Sequence, residues 1–227
     1  MAAPRIAILI PAYNEQNSIG DVVSLASSFG DVYVSDDGSS DETSKVASLN
    51  GATVFSQGRN YGYNSALSFG ISKLREENYL GVITMDADGQ HSANDILLFV
   101  DFLVQGFAVV VGVRPTTARL LEAVFGKLSN WFWGIRDPLC GMKAYSQSFL
   151  RSVNPIQTYN SVGTELLVYA LGSKMPVAEV GISGRDRIGS PRFAGRFKAN
   201  LLIALAMAGG AGAYLRGFFK RNSGSVH

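Results

Sequence analysis

Asp86-Ala87-Asp88-Gly89-Gln90-His91 places two carboxylates and an amide oxygen on one short segment. Oxygen donors of this kind suit a hard divalent cation such as Mg²⁺ or Mn²⁺, and such cations commonly arrive with phosphates. Gly81 to Met85, just before them, reads Gly-Val-Ile-Thr-Met, the continuous apolar run of a parallel strand covered on both faces. The acids therefore belong at the carboxyl end of a strand, the edge at which open α/β sheets bind ligands. Taken alone, the same residues also describe a solvated turn in which Ser92 caps a helix starting near Asn94.

Two further strand ends are acidic. Arg5 to Ile10 runs into Pro11-Ala12-Tyr13-Asn14-Glu15, and Val32 to Ser35 runs into Asp36-Asp37-Gly38-Ser39-Ser40-Asp41-Glu42-Thr43. Right-handed crossovers carry such ends to one edge of a sheet, so Glu15, Asp37, Asp86 and Asp88 are expected to converge on one crevice. A nucleotide with a metal ion accounts for that much negative charge. Asp37 would accept hydrogen bonds from a base and Asp86 from a ribose, while Asp88 and Gln90 would hold the metal against a diphosphate. Ser39-Ser40-Asp41 also reads as a helix N-cap.

The elements that position these residues alternate, as in an α/β, doubly wound, mostly parallel sheet flanked by helices. Strands are predicted at Arg5 to Ile10, Val32 to Ser35, Thr53 to Ser56, Gly81 to Met85, Ala108 to Val113 and Val177 to Ile182. Helices are predicted at Ser18 to Ser28, Asp41 to Leu49, Asn94 to Gln105, Leu120 to Trp133 and Gly163 to Leu171. Gly30, Gly51 and Gly106 follow the first three, at the position where a left-handed backbone ends a helix.

A chain of 227 residues is long enough for one large domain with a full core. With 20 basic and 18 acidic residues the formal charge is +2, which argues against a protein that coats nucleic acid. The single cysteine, Cys140, has no partner for an internal disulfide, so a reducing, cytoplasmic setting is expected and the thiol reads as a packed side chain. Only about six apolar residues precede Pro11, short of the roughly 7–15 of a signal-peptide core. Leu201 to Leu215 is uncharged and flanked by Arg196, Lys198, Arg216, Lys220 and Arg221. As a helix it would rise about 22 Å against a bilayer core of roughly 30 Å, so it reads either as a membrane-surface helix or as a core helix.

Taken together, these segments resemble the family-2 nucleotide-sugar glycosyltransferases of the GT-A fold. Pro-Ala-Tyr-Asn-Glu, Asp-Asp-Gly-Ser-Ser-Asp-Glu-Thr and Asp-Ala-Asp-Gly-Gln-His occur in that family's order and spacing. Asn60-Tyr61-Gly62-Tyr63-Asn64-Ser65-Ala66-Leu67, with Gly70, and Asp137-Pro138-Leu139-Cys140-Gly141-Met142-Lys143-Ala144-Tyr145 look like two further blocks of it. The likeness covers roughly residues 5 to 200 and is strongest to polyprenyl-phosphate sugar transferases such as dolichol-phosphate mannose synthase. It implies a GT-A domain over residues 1–200, and the apolar and basic tail over 201–227 keeps its two readings, membrane-associated or core-packed. It also implies donor contacts at Pro11, Tyr13, Glu15, Asp37, Asp86 and Ala87, metal ligands at Asp88 and Gln90, and a phosphate-binding Arg114. Arg187 and Arg192 resemble the basic pair of a later segment. Here that segment reads Arg187-Ile188-Gly189-Ser190-Pro191-Arg192, one residue shorter and with Arg in place of Lys. The acceptor loop is shortened too, which brings Arg119 close behind Arg114 as a second contact for a lipid phosphate.

The expected reaction is an inverting transfer from a UDP- or GDP-linked sugar to a polyprenyl phosphate. A lipid phosphate is already anionic, so arginines suffice to hold it. A sugar hydroxyl would instead need a general base, for which Glu165 is the candidate, although an acid in a first helical turn is also favoured by the helix dipole. Leu121, Val124, Phe125, Leu128, Trp131, Phe132 and Ile135 recur at helical spacing. The aliphatic members read as core-facing, and Trp131 to Trp133 as an anchor at the cytoplasmic face of a membrane. A membrane-protein partner or a homo-oligomer is left open. A receiver domain would place its acceptor Asp after the third strand, where Gln57-Gly58-Arg59 stands, and a nucleotidyltransferase would carry a Gly-rich basic loop where Pro11 to Glu15 stands. A non-catalytic nucleotide-sugar binding module is compatible with the same residues.

Overall fold

The protein is described by a computed structural model over residues 5–115, 120–153 and 161–184. Arg119, Arg187, Arg192 and the 201–227 tail lie outside the described residues. In chain order the elements are β1 (Ile6–Ala12), α1 (Ile19–Ala26), β2 (Asp31–Asp36), α2 (Thr43–Leu49), β3 (Thr53–Ser56), α3 (Tyr63–Leu74) and β4 (Gly81–Thr84). After a 3₁₀ turn at Ala93–Asp95 come α4 (Ile96–Val104), β5 (Val109–Val113), α5 (Leu120–Trp133), β6 (Lys143–Ser146), α6 (Gln147–Ser152), α7 (Val162–Gly172) and β7 (Val177–Gly181).

The seven strands form one sheet in the order β3-β2-β1-β4-β6-β5-β7, parallel except for β6. β1 is buried along its whole length because β2 and β4 pair with its two edges and helices cover both faces. Its odd and even residues divide between two cores. Ile6, Ile8 and Ile10 pack with α1, α2 and α4 on one face, and Ala7 and Leu9 pack with α3, α6 and α7 on the other. Burying a side chain such as Ile8 is worth about 1.5–3 kcal/mol. The sheet grows from β1 to β2 and β3 in one direction and resumes at β4 on the other side of β1, so a crevice opens beyond the carboxyl ends of β1 and β4.

β6 changes the edge more than any other element. It is antiparallel to both β4 and β5, so its first residue, Lys143, arrives at the same edge as the last residues of β4 and β5. Residues of the preceding Asp137–Gly141 loop thereby join the strand ends in the crevice. The residue pattern does not announce β6, α3 or α6.

Two expected details are corrected. Gly51 (φ 97°) and Gly106 (φ 91°) have the left-handed backbone anticipated, but Gly30 does not. It is required by a close approach instead, since a Cβ there would lie 2.5 Å from the Ile6 carbonyl oxygen. Ser92 precedes the 3₁₀ turn without making a side-chain cap; its carbonyl accepts the Asp95 N–H at 3.1 Å.

Candidate active site

The loops after β1 and β2 are stitched into one wall. Asn14 has a left-handed backbone (φ 52°), which Asn tolerates better than most residues. Its N–H donates to Ser39 Oγ at 2.8 Å, and its Oδ1 accepts the Ser40 N–H at 2.8 Å. Glu15 N–H donates to Thr43 Oγ1 at 2.7 Å, and the Glu15 carboxylate accepts from Ser18 Oγ at 3.0 Å. The expected cap at Ser39-Ser40-Asp41 is corrected: the N-cap of α2 is Glu42, with no side-chain cap bond, while Asp41 Oδ1 accepts the Thr43 N–H at 3.0 Å and Ser39 and Ser40 bridge to Asn14. Pro11 is buried in β1, and Tyr13 is exposed at its mouth.

Asp37, expected to face a base, is bonded first to its own chain. Its two oxygens accept the N–H groups of Tyr61 (2.9 Å) and Gly62 (2.7 Å), and the residue is 2% exposed. A carboxylate has about four acceptor positions, so two bonds leave capacity for a ligand. The neighbouring Gly38 (φ 72°) allows the contact, because a Cβ there would fall 2.4 Å from Arg59 Cα.

The Asp86–His91 segment leaves β4 and turns back at Gly89 (φ 77°). Asp86 N–H donates to His91 Nδ1 at 3.1 Å, so the neutral ring carries its proton on Nε2, which lies 3.8 Å from Asp86 Oδ2. Tyr63 donates its phenolic proton to Asp86 Oδ1 at 3.1 Å. Gly141 closes the third side, since a Cβ there would meet Asp86 Oδ2 at 2.4 Å and Oδ1 at 2.6 Å. Ala87 and Asp88 are buried and Gln90 is exposed; the Gln90 N–H donates to Asp88 Oδ1 at 3.1 Å. Among the described residues no group of three or more His, Cys, Asp or Glu forms a metal cluster. A cation on Asp88 and Gln90 would complete its shell from diphosphate and water oxygens, as Mg²⁺ commonly does.

Arg114 follows β5 and is gripped by Asp137. Its Nε and Nη2 donate to Asp137 Oδ2 (2.8 Å) and Oδ1 (2.9 Å), and its backbone N–H adds a third bond at 3.2 Å. Burial opposes ionisation of Asp137, but its bonds to Arg114 outweigh this and hold the carboxyl below the usual range. Lys143 lies beneath, 4% exposed, with its ammonium donating to the Cys140 carbonyl. Burial pulls the Lys143 pKa down, and burial pushes the Cys140 thiol up to about 11, as befits a packed rather than reactive cysteine.

Glu165 reaches the same neighbourhood through α7, whose Thr164 hydroxyl donates to the Pro138 carbonyl at 3.2 Å. The Glu165 side chain is buried, and its Oε1 accepts the Ser161 N–H at the start of its own helix at 3.2 Å. On α5, Trp131 and Phe132 are 77% and 65% exposed, with ring centroids 4.5 Å apart, while Trp133 is half-buried; Ile135, beyond the end of the helix, is core. Val124, expected to face the core, is 43% exposed. No helix among the described residues is long and apolar enough to cross a membrane.

The structure thus gathers Pro11, Tyr13, Glu15, Asp37, Asp86, Ala87, Asp88, Gln90 and Arg114 along one sheet edge. Tyr63, His91, Asp137, Gly141 and Lys143 join them, although the residue pattern gives none of these a role. Their one sequence signal is membership of the same motif blocks.

Comparison with known proteins gives the family and the fold. Residues 7–130 match the model of glycosyl transferase family 2. A dolichyl-phosphate hexose transferase of Haloferax volcanii is 28% identical over 200 residues, covering 82% of this chain and 86% of that protein. An undecaprenyl-phosphate 4-deoxy-4-formamido-L-arabinose transferase of Edwardsiella ictaluri is 28% identical over 170 residues, covering 65% of this chain and 51% of that protein. Among solved structures, glucosyl-3-phosphoglycerate synthase of Mycobacterium tuberculosis in complex with Mn²⁺, UDP and phosphoglyceric acid superposes with a TM-score of 0.76. It shares 21% identity and is covered to 79%, with 93% of this chain aligned, a likeness of fold. The fold is of the GT-A type, and the chain belongs to glycosyl transferase family 2.

Proposed function

We propose that the protein is an inverting, metal-dependent glycosyltransferase that moves a sugar from a UDP- or GDP-linked donor to a polyprenyl phosphate. It would work at the cytoplasmic surface of a membrane, with Trp131 and Phe132 as an apolar contact. The observation that carries the choice of acceptor is Arg114, a partly exposed guanidinium held at the sheet edge by Asp137, which suits an anionic acceptor. A hydroxyl acceptor needs a base that can reach its proton. Glu165 is buried, and its carboxylate is engaged at the N-terminus of α7. A phosphate acceptor needs no base. The names of the two relatives, which specify dolichyl and undecaprenyl phosphate, support the same choice.

In this reading Pro11, Tyr13, Glu15, Asp37, Asp86 and Ala87 hold the nucleoside, with the spare acceptor capacity of Asp37 turned to the base and Asp86 to the ribose. Arg187 and Arg192 add charge on the donor side. Mg²⁺ or Mn²⁺ held by Asp88 and Gln90 would neutralise the charge that develops on the departing nucleoside diphosphate. Arg114, oriented by Asp137, and Arg119 hold the acceptor phosphate. Its oxygen then attacks the anomeric carbon from the face opposite the diphosphate: one C–O bond forms, the other breaks, and the configuration inverts.

Glu165→Gln tests the acceptor. Turnover within about fivefold of wild type is expected, because a base contributes roughly 100-fold or more where one is needed. A near-total loss with normal donor binding would favour a sugar hydroxyl as acceptor.

A further inference from the structure

We propose that Lys143 is the positioning residue of the donor crevice, a buried ammonium that pins the Asp137–Gly141 loop and through it sets Asp86 and Arg114. The inference rests on the glycosyl-transfer reading above. It begins with a charge where an apolar side chain would be expected. Lys143 opens the antiparallel strand, in the sequence Met142-Lys143-Ala144-Tyr145, and all four residues are buried. Burying an ammonium is unfavourable unless its surroundings offset the lost hydration. Part of the offset comes from the Cys140 carbonyl, which accepts from Nζ, and the charges of Asp137 and Asp86 favour the ammonium, although burial still pulls its pKa down.

Those two carboxylates both belong to the crevice, and each depends on the loop that Lys143 holds. Asp137 orients Arg114 through both of its oxygens. Asp86 lies against the backbone at Gly141, where no Cβ could be accommodated without displacing its carboxylate. Thr84 Oγ1 ties this loop down from below, donating to the Gly141 carbonyl at 2.7 Å and accepting the Lys143 N–H at 3.2 Å. Gly163, at the start of α7, lies on the other side, where a Cβ would stand 3.4 Å from Nζ, in ordinary contact. Arg114 and Lys143 thus balance Asp86 and Asp137. Without Lys143 the other cation of this group among the described residues, Arg114, is already engaged by Asp137, and the loop loses one of its ties.

The test compares Lys143→Met, Lys143→Arg and Gly141→Ala in the full chain by calorimetric titration of UDP and GDP with Mn²⁺, alongside melting temperature. Lys143→Met is expected to weaken nucleotide binding about 10–100-fold, the usual effect of removing a group that orients a ligand-binding side chain. Lys143→Arg, which keeps the charge, should recover most of that loss. Gly141→Ala pushes on Asp86 directly and should weaken binding while melting near wild type. Leu74→Ala, a core truncation, should lower the melting temperature with affinity unchanged. Binding by Lys143→Met within twofold of wild type, or a Lys143→Arg variant as weak as Lys143→Met, overturns the proposal. If Lys143→Met does not fold, Gly141→Ala decides, and unchanged affinity there overturns it. A wild-type protein that binds nucleotide but transfers no sugar to polyprenyl phosphate refutes the function, while the binding comparison still decides the role of Lys143.

Discussion

Asp137→Asn removes one charge from the best-defined ion pair near the crevice while preserving the shape of the side chain. Asp137 is 6% exposed at its side chain and Arg114 26%, so the pair is only partly screened by solvent. Three hydrogen bonds join them, two from the guanidinium and one from the backbone. Breaking a buried pair by removing one partner typically costs about 3–5 kcal/mol. The partial exposure of Arg114 and the acceptor that Asn retains reduce this to roughly 2–4 kcal/mol. For a chain of this size that is a fall of about 5–15 °C in melting temperature. The pH dependence follows from the direction of the shift. The folded carboxyl titrates below its usual value because of Arg114, so its stabilisation is present above the unfolded pKa and is lost as pH falls through the folded one. Urea denaturation of wild type and Asp137→Asn at neutral pH and at successively lower pH, down through the acid range, measures both effects. The gap between the two proteins should be full at neutral pH, begin to shrink near the ordinary carboxylate value of about pH 4, and close as pH falls further through the depressed folded value. A neutral-pH gap under about 0.5 kcal/mol, or one that widens on acidification, would refute the reasoning.

Asp88→Asn should abolish the thermal stabilisation that a nucleoside diphosphate gives in the presence of Mn²⁺, and chelator should do the same to wild type; a shift that survives both would remove Asp88 and the metal from the site. Trp131→Ser with Phe132→Ser should leave stability within about 0.5 kcal/mol, because both rings are exposed, while reducing co-sedimentation with anionic vesicles several-fold. Unchanged sedimentation would exclude this patch as a membrane contact.

The parallel part of the sheet was legible because strands covered on both faces are written as continuous apolar runs. Ile6 to Ile10 and Gly81 to Met85 are such runs, and the acidic residues that follow them mark the ligand edge. β1 continues through Pro11 and Ala12, two residues beyond the expected end at Ile10, because Ala12 still pairs with Asp36. β6 was illegible for the opposite reason. Lys143-Ala-Tyr-Ser is four residues long, opens with a buried charge, and owes its place to flanking strands on both sides. Tertiary pairing decides such an element, not local pattern. A motif block located Asp86, the family likeness Arg114, and the start of a predicted helix Glu165, none of them giving its partners. That Asp137 grips Arg114, that Gly141 abuts Asp86 and that Glu165 bonds to Ser161 are contacts made in space.

The most direct measurement supplies the wild-type protein with UDP- and GDP-hexoses, Mn²⁺ and a polyprenyl phosphate, and in parallel with a polyprenol or a free sugar as acceptor. The account predicts a lipid-soluble sugar phosphodiester of inverted anomeric configuration, formed from the phosphate acceptor and abolished by chelator. Transfer to the hydroxyl acceptors with none to the phosphate, or nucleotide binding without any transfer, would contradict it.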